Sequence, residues 1–353
     1  MTSDITEIRS RLQQASAERR TLEILGGGSK RFLGREPLGS VLELAGHRGI
    51  VDYQPSELML TARAGTPLQH IESLLTEQGQ MLAFEPPHFG ATATLGGTIA
   101  CGLSGPRRPY VGAARDFVLG VVCLSANGER LTFGGQVMKN VAGFDISRLM
   151  AGAMGTLGVL LEISLKVLPR PETEATVARR LPVTEALDLM NHFAGRPLPI
   201  SAASFDGENM LLRLSGVPSA VAAAEKTIGG DRVPDGEDHW HKLREHELPF
   251  FYPRDKPLWR LSLPPASSPL DLAGEWLFDW GGAQRWLRTD ADPTLVRQTA
   301  VAAGGHATLF RGGDRSGEVF TPLPLAMWEL HQRLKQAFDP HGIFNRGRLY
   351  PAL

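Results

Sequence analysis

Three glycine-rich stretches carry most of the chemistry-bearing pattern in this chain. The first, LEILGGGSKRFLG over residues 22–34, is an apolar run that breaks into Gly26, Gly27, Gly28, Ser29, Lys30 and Arg31. A Walker loop needs a lysine directly after its last glycine and a hydroxyl after that lysine. Here Ser29 precedes Lys30 and Arg31 follows it. A Rossmann fingerprint needs GxGxxG leading into a helix, and KRFLG is a poor helix start. What remains is a bare turn of backbone N–H groups beside cationic side chains, a nest suited to a phosphate or pyrophosphate; a merely flexible turn is the competing reading. The second and third stretches, 90–105 and 152–158, weaken that competitor. A pyrophosphate has several oxygens and is best held by backbone wrapping it from more than one side.

Other reactive residue types are sparse. Cys101 and Cys123 have no CxxC spacing and form no His/Cys cluster, so neither a zinc site, a disulfide framework nor an iron-sulfur cluster of the chain's own is expected. HWHKLREHE offers His239, His241 and His246 on a predicted helix. Positions 239 and 246 share a face and 241 lies well round from it, a poor geometry for a metal; no metal site is expected. Trp240, Trp276, Trp280 and Trp286 read as packing or subunit contact.

These residues must be positioned by ordinary globular structure. The chain has 353 residues, 42% of them hydrophobic and 21% charged, with a formal net charge of -1. Two domains are expected, with room for one to interrupt the other. That balance gives no support to a nucleic-acid role. The amino terminus is polar and charged without the apolar core of a secretory signal, and the longest apolar runs, such as 117–124, fall far short of the ~20 residues that span a bilayer. A cytoplasmic protein is expected, reaching a membrane only through a partner.

An amphipathic helix opens the chain, followed by strands near 41–44, 50–53 and 58–64 and a helix begun by Thr66-Pro67 and closed by Gly79. Residues 80–112 read as one long loop, too rich in glycine and proline for regular structure. Asn127-Gly128 predicts a hairpin between FVLGVVCLS and RLTFGG. Asp145 caps a short helix, and 159–167 alternates as a half-buried strand ended by Pro169-Arg170-Pro171. From 175 the order β-α-β-β-α-β suggests a ferredoxin-like unit. Further antiparallel strands follow to about 290, then a helix from 293 to 303, the strand HATLF and a last helix over 324–338. No internal sequence repeat is visible.

LGGGSKRF, GATATLGGTIACGLSGPRR, VCLSANGERLTFGG, VMKNVAGFDISRLMAGAMGTLGVLLEISLKVLP and FDPHGIFNRGRLY occur in this order. Together they resemble the flavoprotein family with the vanillyl-alcohol-oxidase or PCMH-type FAD-binding domain, and more narrowly the FAD-binding E-subunit family of bacterial glycolate oxidase (glycolate dehydrogenase). The likeness spans nearly the whole chain. It implies an α+β fold: a PCMH-type, two-subdomain FAD-binding domain over 1–171, a smaller ferredoxin-like α+β cap over 172–305, and a segment over 306–353 returning to the first domain.

The resemblance further implies that Gly26, Gly27, Gly28 and Ser29, with Thr94, Gly96 and Gly97, give backbone N–H groups to the FAD pyrophosphate. It places Ala100, Gly102 and Gly105 on the flavin side, Gly155, Gly158 and Val159 at the third turn, and Asn345 where the C-terminus returns. Relatives carry proline after that asparagine; this chain has Arg346. Flavinylated relatives carry a histidine in the first loop where this chain has Ser29 and Lys30, so non-covalent FAD is expected. The implied activity is oxidation of a small 2-hydroxy acid, glycolate or D-lactate, in a complex with a second flavin subunit and an iron-sulfur subunit. Arg244 is then the candidate anchor for the carboxylate. The HxxGDGNxH-type metal signature of full-length relatives is missing here. Two other readings stay open: a self-sufficient FAD dehydrogenase or oxidase, and an assembly subunit with a vestigial flavin site.

Overall fold

A computed structural model describes residues 5–135 and 145–353. Most of the MKNVAGFD motif, through residue 144, lies outside the described residues. Helix α1 (Ile5–Glu18) buries Ile8, Leu12 and Ala15 along one face. Strand β1 (Leu22–Leu25) ends at the first glycine stretch and pairs in parallel with β2 (Ser40–Glu43). There follow β3 (Ile50–Gln54), β4 (Met59–Arg63), α2 (Leu68–Glu77), β5 (Gln80–Met81), α3 (Leu95–Cys101), α4 (Arg108–Val111), β6 (Val118–Leu124), β7 (Arg130–Gly134), α5 (Ile146–Leu149), β8 (Val159–Lys166) and β9 (Leu168–Pro169). The five-stranded sheet runs β3-β4-β8-β6-β7.

Strand β8 is the middle strand of that sheet and serves two cores. Val159 and Leu161 pack with Leu12, Leu42 and Phe344, whereas Ile163 and Leu165 pack with Leu68, Ile71 and Leu75. The predicted half-buried alternation fails here because the strand is covered on both faces. Even Ser164 is inside, its hydroxyl 2.8 Å from that of Thr61.

Two local expectations need correction. The stretch 80–112 is not structureless: Thr94 caps α3 by accepting the Gly97 amide at 3.3 Å, and α4 follows. Glycines are tolerated in α3 because it lies against β4; a Cβ on Gly96 would sit 2.8 Å from that of Ala64. Thr66 does not cap α2. The cap position is Pro67, and the Thr66 hydroxyl instead bonds both the amide (2.9 Å) and the carbonyl (3.1 Å) of Gly49.

The next sheet has eight strands and an order that the chain sequence does not advertise. β10 (Thr173–Arg180), α6 (Val183–Ala194), β11 (Ile200–Phe205), β12 (Asn209–Gly216), α7 (Pro218–Ile228) and β13 (Asp231–Arg232) form an antiparallel array ordered β13-β10-β12-β11. Numbered by position in the unit this is 4-1-3-2, the ferredoxin-like arrangement. Helix α8 (Gly236–Glu245) leads to β14 (Leu258–Ser262), β15 (Glu275–Asp279), β16 (Gln284–Arg288), α9 (Pro293–Ala302) and β17 (His306–Arg311). Their order, β15-β16-β14-β17, is 2-3-1-4: the same pattern mirrored, with a loop in place of the first helix. The halves meet at one residue pair, Phe205 and Phe278. Because β17 pairs with β14 and the Leu309 amide donates to the Val319 carbonyl at 2.8 Å, the chain stays with this sheet well past His306.

The last helix, α10 (Leu325–Phe338), buries only Lys335 among its residues. Its ammonium bonds Asp339 (2.7 Å) and the carbonyls of Thr156 (2.9 Å) and Phe344 (2.8 Å). Asp339 in turn accepts the amides of Ile343 (3.0 Å) and Phe344 (2.7 Å). Breaking one side of such a pair leaves an uncompensated buried charge. Lys335→Met should therefore lower the unfolding free energy by about 3–5 kcal/mol in a urea titration.

Candidate functional site

Strand β1 delivers the first glycine stretch to the mouth of a cavity. Among the described residues, none accepts a hydrogen bond from the amides of Gly26, Gly27, Gly28, Ser29 and Lys30. Five consecutive free donors make an anion nest rather than an idle turn. The loop is held from its sides: the Ser29 hydroxyl (2.8 Å) and Lys30 ammonium (3.2 Å) both donate to the His88 carbonyl. Glycine is obligatory at position 27, where a Cβ would lie 1.4 Å from the Thr92 carbonyl oxygen.

The nest opens on two adjoining cavities. Ile24, Gly26, Thr94, Gly97, Ala100, Met154 and Asn345 line both. The larger has a cationic end with Lys30, Arg31 and Arg348; the smaller is walled by Leu44, Ala64, Leu160 and Met154. Arg31 is paired to buried Glu23 through two bonds of 2.7 Å. Burial lowers the Lys30 pKa and raises that of the Cys101 thiol beside it.

Asn345 joins the walls. Its side-chain oxygen accepts the Ile24 amide at 2.7 Å, and its side-chain nitrogen donates to the Met154 carbonyl at 2.6 Å. Its own amide reaches Leu22 O at 3.0 Å. Arg346, at the position where proline was expected from the resemblance, is exposed, and the turn closes without it through Arg348 N to Asn345 O at 3.0 Å.

Of the expected site residues, Gly26, Gly27, Gly28, Ser29, Thr94, Gly96, Gly97, Ala100, Gly155, Gly158 and Asn345 line these two cavities. The Gly96 amide, however, is committed to the Ala64 carbonyl at 2.7 Å, and the Gly97 amide to its helix cap. The expectation that both are free donors fails because α3 uses them to seat itself on β4. Gly102, Gly105 and Val159 do not line these cavities. Gly102 ends α3 with φ 62° and faces Gly152; Val159 is wholly buried in β8. Gly105 accepts from the Trp280 indole at 3.0 Å and borders a third cavity.

That third cavity lies between residues 103–106 and the inner face of the eight-stranded sheet. His246, Arg260, Asp279, Gln284, Trp286 and Phe310 contribute to its wall. The three histidines of 239–246 have separate surroundings: His239 touches Ser204 (3.2 Å), His241 is exposed, and His246 stacks on Phe251 with centroids 3.9 Å apart. Arg244 is engaged by Glu245 at 2.8 Å, and Glu245 also accepts the amides of His88 and Phe89. The tryptophans pack: Trp240 bonds the Thr176 hydroxyl at 2.9 Å, and Trp286 is buried among Phe251, Phe310 and His246.

A family model described as an FAD binding domain matches residues 2–134. Glycolate oxidase subunit GlcE of Escherichia coli is 48% identical over 342 residues, covering 97% of this chain and 96% of that protein. The chain belongs to the glycolate oxidase E-subunit family. It is an FAD-dependent oxidoreductase with a PCMH-type FAD-binding domain. Glycolate oxidase subunit GlcD of Bacillus subtilis is 34% identical over 33% of this chain and 25% of its own length. A D-lactate dehydrogenase of Archaeoglobus fulgidus is 30% identical over 52% of this chain and 39% of its own. A solved structure of alkyldihydroxyacetonephosphate synthase shares the fold, with TM-score 0.66 at 14% identity over 96% of this chain and 74% of that one.

The residues present fit FAD. Free amides meet an anion, the cationic and apolar ends suit a molecule with a group on either side of its pyrophosphate, and the space at Gly27 admits no side chain.

Gly27→Ala should abolish FAD retention because the Thr92 backbone cannot yield. Gly28→Ala, exposed at φ 74° with its nearest contact at 3.8 Å, should cost only the left-handed penalty of about 1–2 kcal/mol and keep FAD; flavin absorbance and thermal melts read both. Asn345→Ala strands the Ile24 amide and Met154 carbonyl and should cost about 1–3 kcal/mol together with FAD affinity, measured by denaturation and by FAD titration. Burial pushes the Asp279 carboxyl up to about 7 despite a 2.7 Å bond from the Trp280 amide. The folded state then holds this proton more tightly than the unfolded chain, where aspartate titrates near about 3.9. That contribution to stability is full below the unfolded pKa and is lost as the pH rises through about 7. Asp279→Asn should remove this part of the pH slope in urea unfolding.

Proposed function

We propose that this chain is the non-covalent FAD-binding subunit of a multi-subunit glycolate or D-lactate dehydrogenase, oxidising a 2-hydroxy acid to a 2-oxo acid and passing electrons to an iron-sulfur subunit. The run of unpartnered amides from Gly26 to Lys30, facing walls supplied by Thr94–Ala100 and Met154–Gly158, carries this reading. Residues 26–29 and Thr94 hold the pyrophosphate, Gly155 and Gly158 line the adjoining apolar end, and Asn345 keeps the first and third loops in register. Lys30 and Arg348 set a positive field at the cationic end. FAD supplies the two-electron acceptor for the CH–OH donor.

The division into an FAD-binding domain over 1–171, a cap from 172 and a returning C-terminal segment is part of the same reading. It is supported by the five- and eight-stranded sheets on either side of Pro171 and by the parallel bridge from Leu22 to Phe344. A multi-subunit complex is supported by the names of the similar GlcE and GlcD subunits, and the iron-sulfur partner rests on the family resemblance. Among the described residues no helix is long and apolar enough to cross a membrane, in keeping with cytoplasmic placement and a membrane reached through partners.

Purified protein should be yellow. After acid precipitation the flavin should appear in the supernatant; flavin left in the pellet would show covalent attachment, and colourless protein without a thermal shift on adding FAD would favour the assembly-subunit reading.

A further inference from the structure

Glu245 is the last residue of α8, the end of a helix where a carboxylate faces the negative pole of the backbone dipoles. Its side chain is nonetheless only 7% exposed. A charge buried against the local field must be held by strong donors, and two of them come from the segment between β5 and α3. One carboxylate oxygen accepts the Phe89 amide at 2.9 Å and the His88 amide at 3.0 Å, and the other accepts Arg244 Nε at 2.8 Å. Phe89 sits at φ 52°, in the left-handed region that a bulky side chain seldom adopts. Such a conformation persists only where its surroundings over-determine it. The carboxylate does this at the backbone, while Phe32 and His246 hold the Phe89 ring at centroid distances of 5.4 and 4.9 Å.

The turn fixed in this way is the one on which the nest rests. His88 gives its amide to Glu245 and offers its carbonyl to the Ser29 hydroxyl and the Lys30 ammonium. A few residues on, the Thr92 carbonyl occupies the space beside Gly27. At its other side α8 is seated on the eight-stranded sheet: Trp240 and Leu243 are buried with Ala202, Leu211 and Trp286, and the Trp240 indole bonds Thr176. Among the described residues no other group accepts the His88 and Phe89 amides. A single carboxylate therefore stands between the seat of α8 and the backbone that supports Ser29 and Lys30, although Glu245 itself lines neither of the FAD cavities.

We propose that Glu245 is a positioning residue for FAD, coupling the seating of α8 to the shape of the anion nest through the His88–Phe89 turn. The inference rests on the FAD-binding reading and adds to it a residue remote from the cofactor. Coupling of two equilibria is reciprocal, so FAD in the nest also tightens the turn against α8.

FAD titration and amide hydrogen exchange of the full chain test the coupling. Glu245→Ala should weaken FAD binding about ten- to a hundredfold. Glu245→Gln, which keeps an acceptor oxygen, should recover part of that loss, and Lys242→Met, at an exposed pair on the same helix, should change nothing. Because Ser29 and Glu245 act through one turn, the double variant Ser29→Ala with Glu245→Ala should lose less affinity than the product of the two single losses. In FAD-free protein the Arg31 and Leu33 amides, each bonded within the first loop at 3.0 Å, should exchange faster in Glu245→Ala; adding FAD to the unsubstituted protein should slow exchange at His88 and Phe89. Should Glu245→Ala not fold, Glu245→Gln decides by the same comparisons. Losses that simply multiply in the double variant, or unchanged exchange at Arg31 and Leu33 in the folded variant, overturn the proposal. Unsubstituted protein that takes up no FAD, while the substitution still quickens exchange at Arg31 and Leu33, would instead overturn the flavin reading alone.

Discussion

The candidate FAD site depends on one asparagine whose three hydrogen bonds close a circuit. Asn345 fixes the end of β1 through Ile24 and Leu22 and fixes the third glycine turn through Met154. These segments are more than a hundred residues apart in the chain, and glycine turns have little side-chain packing with which to find each other. A side-chain amide that both donates and accepts suits this role, since each wall presents one backbone group of opposite kind. The asparagine is itself placed by the Lys335–Asp339 pair, which ties the end of α10 to Thr156 and Phe344.

The first loop is linked outward as well as inward. Ser29 and Lys30 hold the His88 carbonyl, the His88 amide is held by Glu245 of α8, and the His88 ring lies 2.9 Å from Glu72 of α2. A short polar chain thus connects the nest to α8. Within the second unit the ferredoxin-like order itself sets β14 beside β16, and with it Arg260 beside Trp286.

Most element types were readable from pattern. The β-α-β-β-α-β order, the Asn127-Gly128 hairpin and the helices near 293 and 324 appear where periodicity and caps put them. The failures have specific causes. Helix α3 was hidden because Gly96 and Gly97 depress helix propensity, while their missing side chains are what let the helix seat on Ala64. Thr66 looked like a cap, yet long-range bonding to Gly49 claimed its hydroxyl. The mirrored repeat left no sequence trace, because strand order is set by pairing across the sheet and not by similarity along the chain.

By itself the sequence offered backbone amides in glycine turns as a nest suited to an anion, since residue order excluded the Walker and Rossmann solutions and spacing supplied three turns. Its family resemblance pointed to FAD. Tertiary structure alone decided which donors are free, because the amides of Gly96 and Gly97 go to the Ala64 carbonyl and the Thr94 hydroxyl while those of residues 26–30 have no acceptor among the described residues. It also decided where Arg244 stands: at the border of the third cavity, with its Nε given to Glu245. Local pattern records what a residue offers; whether the offer has been taken depends on partners brought from elsewhere in the chain.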